Sequence, residues 1–210
     1  MKSLYDPPKI LKRMFSKFIW ESPVDKILLT FDDGPLLGNT EIILNELQNH
    51  SIKAIFFCVG NNVAANHSLA EEIISEGHTV GNHTYNHKRI HMLSKSERFD
   101  EIKRCSEIVN DKLTYEVKYF RPPHGRFNFN LANELGEMNL QNVMWSMLTY
   151  DYRNTFDIVK KSAQYLKKNS IIVLHDNKKS QPIIIDSIKY LVDEIHKKNF
   201  EIGTPEECLR

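Results

Sequence analysis

From Lys26 onward, short apolar runs alternate with longer segments whose apolar residues recur every three or four positions. The short runs, at residues 27–31, 54–59, 79–81, 119–121, 143–147, 171–174 and 200–203, read as strands. Their length is too small for stable helices, and their aliphatic and aromatic content suits strands covered on both faces. The periodic segments predict helices around residues 41–49, 69–75, 97–112, 131–138, 156–167 and 183–197. In the third of these, Ile102, Cys105, Ile108 and Val109 set apolar side chains three and four apart, along one helical face. Alternation of apolar strands with helices implies a parallel sheet covered by helices. Seven strands suit either a closed barrel or an open doubly wound sheet, and alternation alone leaves both open.

Ahead of this pattern, residues 9–20 have helical periodicity, with Ile10, Leu11, Met14, Phe15, Phe18 and Ile19 on one face and Pro7-Pro8 as a start signal. The preferred reading is a helix that packs this stripe against the domain. The alternative is a peripheral membrane contact, with the basic residues on the polar side. Lys12, Arg13 and Lys17 interrupt the apolar residues, so the segment does not read as a secretory signal, and no stretch is apolar for long enough to span a bilayer. A cytoplasmic or membrane-associated location is expected on these grounds, with export left open. Residues 1–25 are expected to be an N-terminal extension, and 26–210 a single domain.

Composition narrows the function. With 210 residues, 41% hydrophobic and 26% charged, the chain has enough apolar content for one sizeable core. A net charge of +1 gives no electrostatic case for a nucleic-acid partner. Cys58, Cys105 and Cys208 are scattered, forming neither a disulfide framework nor a cysteine metal motif. No Gly-x-Gly-x-x-Gly follows the first strand and no Walker loop occurs, so the usual nucleotide sites are missing.

Chemically capable residues instead collect at strand ends. Asp32-Asp33 follows the first strand and His83 with His87 the third. Arg121 closes the fourth strand, Asp151 lies beyond the fifth and His175 ends the sixth. In parallel α/β folds the carboxyl ends of the strands share one side, where active sites are built. The four-residue spacing of the two histidines would set both imidazoles on one face of a helical turn. Two imidazoles and one carboxylate make a three-ligand site that suits catalytic zinc and equally non-haem iron. One of two adjacent carboxylates can serve the metal while the other stays free as a base.

In order, Thr30-Phe31-Asp32-Asp33-Gly34-Pro35, His83-Thr84-x-x-His87, Arg121-Pro122-Pro123-His124-Gly125, Asp151-Tyr152 and Leu174-His175 resemble the five motifs of the polysaccharide deacetylases, the carbohydrate esterases that share the NodB-homology domain. The resemblance runs from about Lys26 to Cys208. It implies a single-domain, distorted (β/α)7 barrel of parallel strands with outer helices, and hydrolysis of N-acetyl groups on an amino-sugar glycan. Asp33, His83 and His87 would match the metal ligands, for zinc or another divalent transition metal such as cobalt. Asp32 would match the general base, His175 the general acid, Asp151 the partner that holds His175, and Arg121 the group that orients Asp32. Pro123, His124, Tyr152 and Leu174 are expected to contact substrate, Leu174 in the acetyl pocket, while a backbone N–H near His124 would stabilise the oxyanion. Tyr152 stands where Trp is usual, Leu148 where Asp is common and His124 where Tyr is common. These positions border the expected groove, so substrate preference is not carried over. The same site chemistry would serve an amidohydrolase or O-acetyl esterase acting on a small molecule, and the alternative from another class is an inactive carbohydrate-binding module.

Overall fold

The computed structural model describes residues 5–209. A short helix, α1 (Lys9–Met14), precedes the central strand β1 (Lys26–Asp32). There follow α2 (Thr40–Asn49), β2 (Ile55–Cys58), α3 (Gly60–Ala65), α4 (His67–Ser75), β3 (Thr79–Asn82) and the long α5 (Lys95–Leu113). The second half comprises β4 (Tyr119–Phe120), α6 (Leu131–Gly136), β5 (Gln141–Asn142), β6 (Met147–Leu148), α7 (Phe156–Ser162), β7 (Ile171–His175), α8 (Ile184–Lys197), β8 (Glu201–Ile202) and α9 (Pro205–Cys208).

The strands form one sheet in the order β5-β4-β3-β2-β1-β7-β6, with β8 pairing the start of β1, and every pairing is parallel. The sheet curls into an incomplete barrel wrapped by helices, the α/β architecture that the motifs implied. Ile27, Leu28, Leu29 and Phe31 of β1 are wholly buried, as a strand covered on both faces requires. Outside, α8 turns Ile184, Ile188, Leu191 and Ile195 inward at the helical period. The start of α5 is set by Ser94, which accepts from the Glu97 N–H while the Glu97 carboxylate accepts from the Ser94 N–H. Register then aligns the chemistry: Asp32 of β1 lies beside His175 of β7 on one side and Phe57 of β2 on the other.

Three expectations need correction. The strand expected over 143–147 is split, because Val143 to Ser146 lie between β5 and β6. The carbonyls of Val143 and Met144 turn to the Arg121 guanidinium, both at 2.8 Å, instead of joining a ladder. The helix expected over 9–20 stops at Met14. Ile19 is extended, donating its N–H to Asn142 O and accepting from Met144 N, and Glu21 bridges Ser170 near the start of β7. Residues 19–21 thus run from the end of β5 to the start of β7, an arrangement incompatible with helix. Nor does the apolar stripe pack as a unit. Phe18 and Trp20 are buried against the ring of Phe127, whereas Ile10 and Met14 are 72% and 59% exposed. Among the described residues, no helix is long and apolar enough to cross a membrane.

Phe18→Ala should therefore destabilise the protein by about 3–5 kcal/mol, the usual cost of emptying a buried aromatic site, while Ile10→Ala should change stability by about 0.5 kcal/mol or less. Urea unfolding of both variants checks this, and equal effects would show that residues 15–20 are not part of the core.

Candidate active site

The strand ends open into a cavity of about 290 Å³ whose lining includes Asp32, Asp33, His83, His87, Trp145 and His175. Each group arrives on a different element. Asp32 ends β1, His83 follows β3, Arg121 follows β4, Asp151 follows β6 and His175 ends β7. The parallel sheet brings them to one edge although up to 143 sequence positions separate Asp32 and His175 (175 − 32).

Beneath the cavity lies Arg121, wholly buried. Its Nη1 donates to Asp32 Oδ1 at 2.8 Å and to Thr30 Oγ1 at 2.6 Å, its Nε and Nη2 donate to the two carbonyls already named, and the Phe57 ring lies 4.1 Å from the guanidinium carbon. Burial works to lower its pKa, and the Asp32 carboxylate opposes that loss of charge. One oxygen of Asp32 is thereby fixed, while Oδ2 lies 4.0 Å from His83 Nε2.

Asp33 faces the imidazoles. Its Oδ1 lies 3.1 Å from His87 Nε2 and 3.6 Å from His83 Nε2. One ligand atom from each of Asp33, His83 and His87 can be chosen so that all lie within 4.8 Å of one another, the group among the described residues able to hold a metal ion. The donor set fits. The Nδ1–H of His83 donates to Arg121 O at 2.7 Å, which leaves its Nε2 with a lone pair turned to Asp33. Burial first, then the neighbouring His87, pulls His83 down to about 4, so the ring is neutral as a ligand must be. Burial tends to raise the Asp33 pKa, but the hydrogen bond from His87 and the charge of His175 outweigh it and hold the carboxyl well below the usual range. These histidines do not share a helical turn: residues 83–87 form a loop in which Thr84 and His87 have φ of 66° and 55°. Left-handed backbone at two positions aims both rings at Asp33, a convergence the expected helix would have produced by periodicity instead.

Across the cavity, His175 Nδ1 and backbone N–H both donate to Asp151, at 2.7 and 2.8 Å, which leaves Nε2 for the cavity. Burial would lower the imidazole pKa, but the Asp151 charge and hydrogen bond dominate and raise it to about 9. The ring is an imidazolium at neutral pH. Asp151 is itself wholly buried and receives the Thr149 hydroxyl.

His124 and Tyr152 line the cavity, His124 edge-on to His87 and Tyr152 edge-on to His175. Pro123 and Leu174 do not. Side chains alternate along a strand, so Val173 and His175 face the cavity while Leu174 turns into the core. Leu148, Val173 and Trp145 supply the apolar wall instead. Gly125 permits the close approach of Trp145, since a Cβ there would lie 2.1 Å from the indole.

Several further residues brace the site from outside the motifs. Asn177 donates from Nδ2 to Asp33 Oδ2 at 2.7 Å, fixing the oxygen that the histidines leave. Asp176 is buried, accepts from Asn39 and Thr40, and sits where a Cβ on Gly34 would lie 2.1 Å from its Oδ2. Burial pushes its pKa up to about 7 despite those two bonds. Glu101 of α5, also buried, accepts from the Asn86 backbone and side chain, both at 2.8 Å, and pairs with Lys88 at 2.9 Å, holding the histidine loop. The one available signal was a carboxylate on the apolar face of α5, at a position where a charge costs energy unless paired.

The polysaccharide deacetylase family profile matches residues 21–143. A peptidoglycan-N-acetylglucosamine deacetylase of Listeria monocytogenes serotype 1/2a is 32% identical over 190 residues, which is 85% of this chain and 40% of the relative. The chain thus spans well under half the length of that relative. A peptidoglycan-N-acetylglucosamine deacetylase of Bacillus cereus is 32% identical over 202 residues, 91% of this chain and 92% of its own. The crystal structure of a peptidoglycan N-acetylglucosamine deacetylase in complex with 4-naphthalen-1-yl-N-oxidanyl-benzamide matches with a TM-score of 0.88 at 27% identity, over 96% of each chain.

If Asn177 and Glu101 hold the ligands in place, Asn177→Ala and Glu101→Gln should each weaken zinc binding to the metal-free protein by about 10–100-fold, the usual worth of such outer partners. Calorimetric titration measures this directly, with thermal melting as the control for folding. Unchanged zinc affinity in both variants would show that Asp33 and the histidine loop hold their geometry without them.

Proposed function

The chain belongs to the polysaccharide deacetylase family, and from that membership we propose that it hydrolyses the N-acetyl group of a hexosamine-containing glycan. The observation that carries this reading is that one cavity holds a carboxylate fixed as an acceptor, Asp32, and an imidazolium poised as a donor, His175. Amide hydrolysis needs both, because water attacks slowly without loss of a proton and an amine leaves slowly without gaining one. The relatives named as peptidoglycan-N-acetylglucosamine deacetylases support an N-acetylated sugar in a glycan strand as the substrate.

Asp33, His83 and His87 are the residues to hold a divalent transition metal, zinc in the first instance, which when bound polarises the acetyl carbonyl and acidifies nearby water. Asp32 takes the water's proton on Oδ2, the oxygen Arg121 does not hold. Arg121 keeps Oδ1 in place, so the base needs no reorientation as charge moves. On the other limb, His175 passes the proton on Nε2 to the departing nitrogen, while Asp151 grips Nδ1 and stabilises the charged ring. Trp145, Leu148 and Val173 make a small apolar wall suited to the acetyl methyl group. His124 lines the same cavity, where a backbone N–H beside it would meet the developing oxyanion.

The proposal is tested by measuring acetate release from peptidoglycan strands and N-acetylated oligosaccharides with added zinc. Release should stop on chelation and return with zinc or cobalt. Absence of acetate from every N-acetylated glycan would contradict it. A second test concerns pH. With His175 raised to about 9, the acid form is lost as pH rises through that value, so the rate on amides should have its basic limb there. In Asp151→Asn the main raising partner is gone and burial acts against only the charges of Asp33 and Asp32, so the limb should move down in pH. At pH 7.5 the amide rate should then fall about 10–100-fold, with the imidazole titration followed by NMR as the direct readout. A basic limb left in place would show that Asp151 does not control the acid.

A further inference from the structure

The helix α1 carries a face that the fold leaves uncovered. Leu11 and Phe15 pack against the core, whereas Ile10 and Met14, one turn apart on the adjoining face, are 72% and 59% exposed. Beside Phe15 stands Phe129, itself 74% exposed, the two rings stacked with centroids 5.4 Å apart. Single apolar side chains are ordinary on a protein surface, but three large ones grouped about one ring mark an interaction site. None of the three lines the catalytic cavity.

Charge is distributed around this group in one sign. Residues 7–20 contain Lys9, Lys12, Arg13 and Lys17 and no acid, and residues 126–130 contain Arg126 and no acid. Lys12 is turned inward, bonded to Asp6 and Glu21 at 2.7 and 2.8 Å. Lys9, Arg13, Lys17 and Arg126 are exposed, and none of them pairs with an acid among the described residues. The neighbouring carboxylates are already engaged. Asp6 and Glu21 are shared by Lys12 and Lys167. On α6, which Lys17 reaches through Asn133, Glu134 binds Arg98 and Glu137 pairs with Lys95. The face is therefore apolar at its centre and cationic at its rim.

We propose that this face docks the protein on an anionic lipid surface. Ile10, Met14 and Phe129 enter the headgroup region while the four cations meet the lipid phosphates, the division of labour by which amphipathic segments bind a bilayer interface. The apolar side chains project outward, so they suit a fluid layer, which needs no matching groove, better than a rigid partner. Docking here also places the chemistry. Phe129 is five residues beyond His124 (129 − 124), at most about 18 Å along the chain, so a cavity-lining residue is held close to the membrane. The docking is independent of the reaction assigned to that cavity.

The test is sedimentation of the protein with vesicles of phosphatidylcholine alone and of phosphatidylcholine mixed with phosphatidylglycerol. The wild-type protein should bind the anionic vesicles at least about tenfold more tightly than the neutral ones, since each basic residue near such a surface contributes about fivefold. The preference should shrink between about 0.05 and about 0.5 M salt. Joint replacement Lys9→Gln, Arg13→Gln and Lys17→Gln should weaken anionic binding by about 10–100-fold, and Ile10→Ser, Met14→Ser and Phe129→Ser together by about tenfold or more. Thermal melting controls for folding. Should the apolar triple melt early, the pair Ile10→Ser and Met14→Ser, which leaves the Phe15–Phe129 stack intact, carries the test. A wild-type protein that ignores anionic vesicles, or that binds them as tightly after either set of replacements, overturns the proposal. Self-association of the wild type in sedimentation velocity, lost with the apolar replacements and without vesicle binding, would assign the face to a second copy of the chain instead.

Discussion

A single buried cation ties the sheet to the chemistry. Arg121 is wholly enclosed, so its charge has to be compensated by fixed neighbours, because an unpaired guanidinium there would cost several kcal/mol. Asp32, the Thr30 hydroxyl, the Val143 and Met144 carbonyls and the face of Phe57 supply that compensation. The residue's backbone extends the arrangement, since its carbonyl accepts the Nδ1–H of His83 and its N–H reaches Asn82 O. One side chain and its own peptide thus orient the Asp32 carboxylate, one imidazole and the ends of three strands. The same requirement interrupts the sheet, because the two carbonyls it draws in cannot join a ladder.

Around this anchor the site is built on backbone that the chain does not adopt freely. Asp33, Thr84, His87 and His124 all have positive φ, between 55° and 83°. Such conformations persist when the surroundings over-determine them. Asn62 holds the Asp33 carbonyl, Asn82 Oδ1 receives the Thr84 N–H, and Glu101 grips Asn86 between the two histidines. Asp33, His83 and His87 are consequently brought together by the fold itself, and the asparagines and the glutamate are as much part of the site as the residues they support.

Much of this architecture was legible in the chain. The continuous apolar run of β1 and the helical period of α8 identify their elements unaided, and the strand-end positions of Asp32, His83, Arg121 and His175 mark the functional edge. The failures have physical causes. Val143 to Ser146 is apolar enough for a strand, yet a distant arginine claims its carbonyls. His83 and His87 have helical spacing, yet left-handed residues perform the convergence. Leu174 fails by simple alternation, since the neighbour of a cavity-facing histidine turns to the opposite face of the strand, here into the core. Asn177 carries no periodic signal and Glu101 only that of a charge on an apolar helix face, and their roles exist only once strands and helices far apart in sequence are packed together.

The central claim is that Arg121 divides labour between two adjacent aspartates, Asp32 kept free as the base and Asp33 given to the metal. Zinc affinity and acetate release, measured together for Asp32→Asn and Asp33→Asn, test it most directly. Asp32→Asn should bind zinc nearly as wild type does while its rate falls by about two to four orders of magnitude, the worth of a positioned base. Asp33→Asn should lose zinc affinity and activity together. Zinc lost from Asp32→Asn but retained by Asp33→Asn would contradict the account.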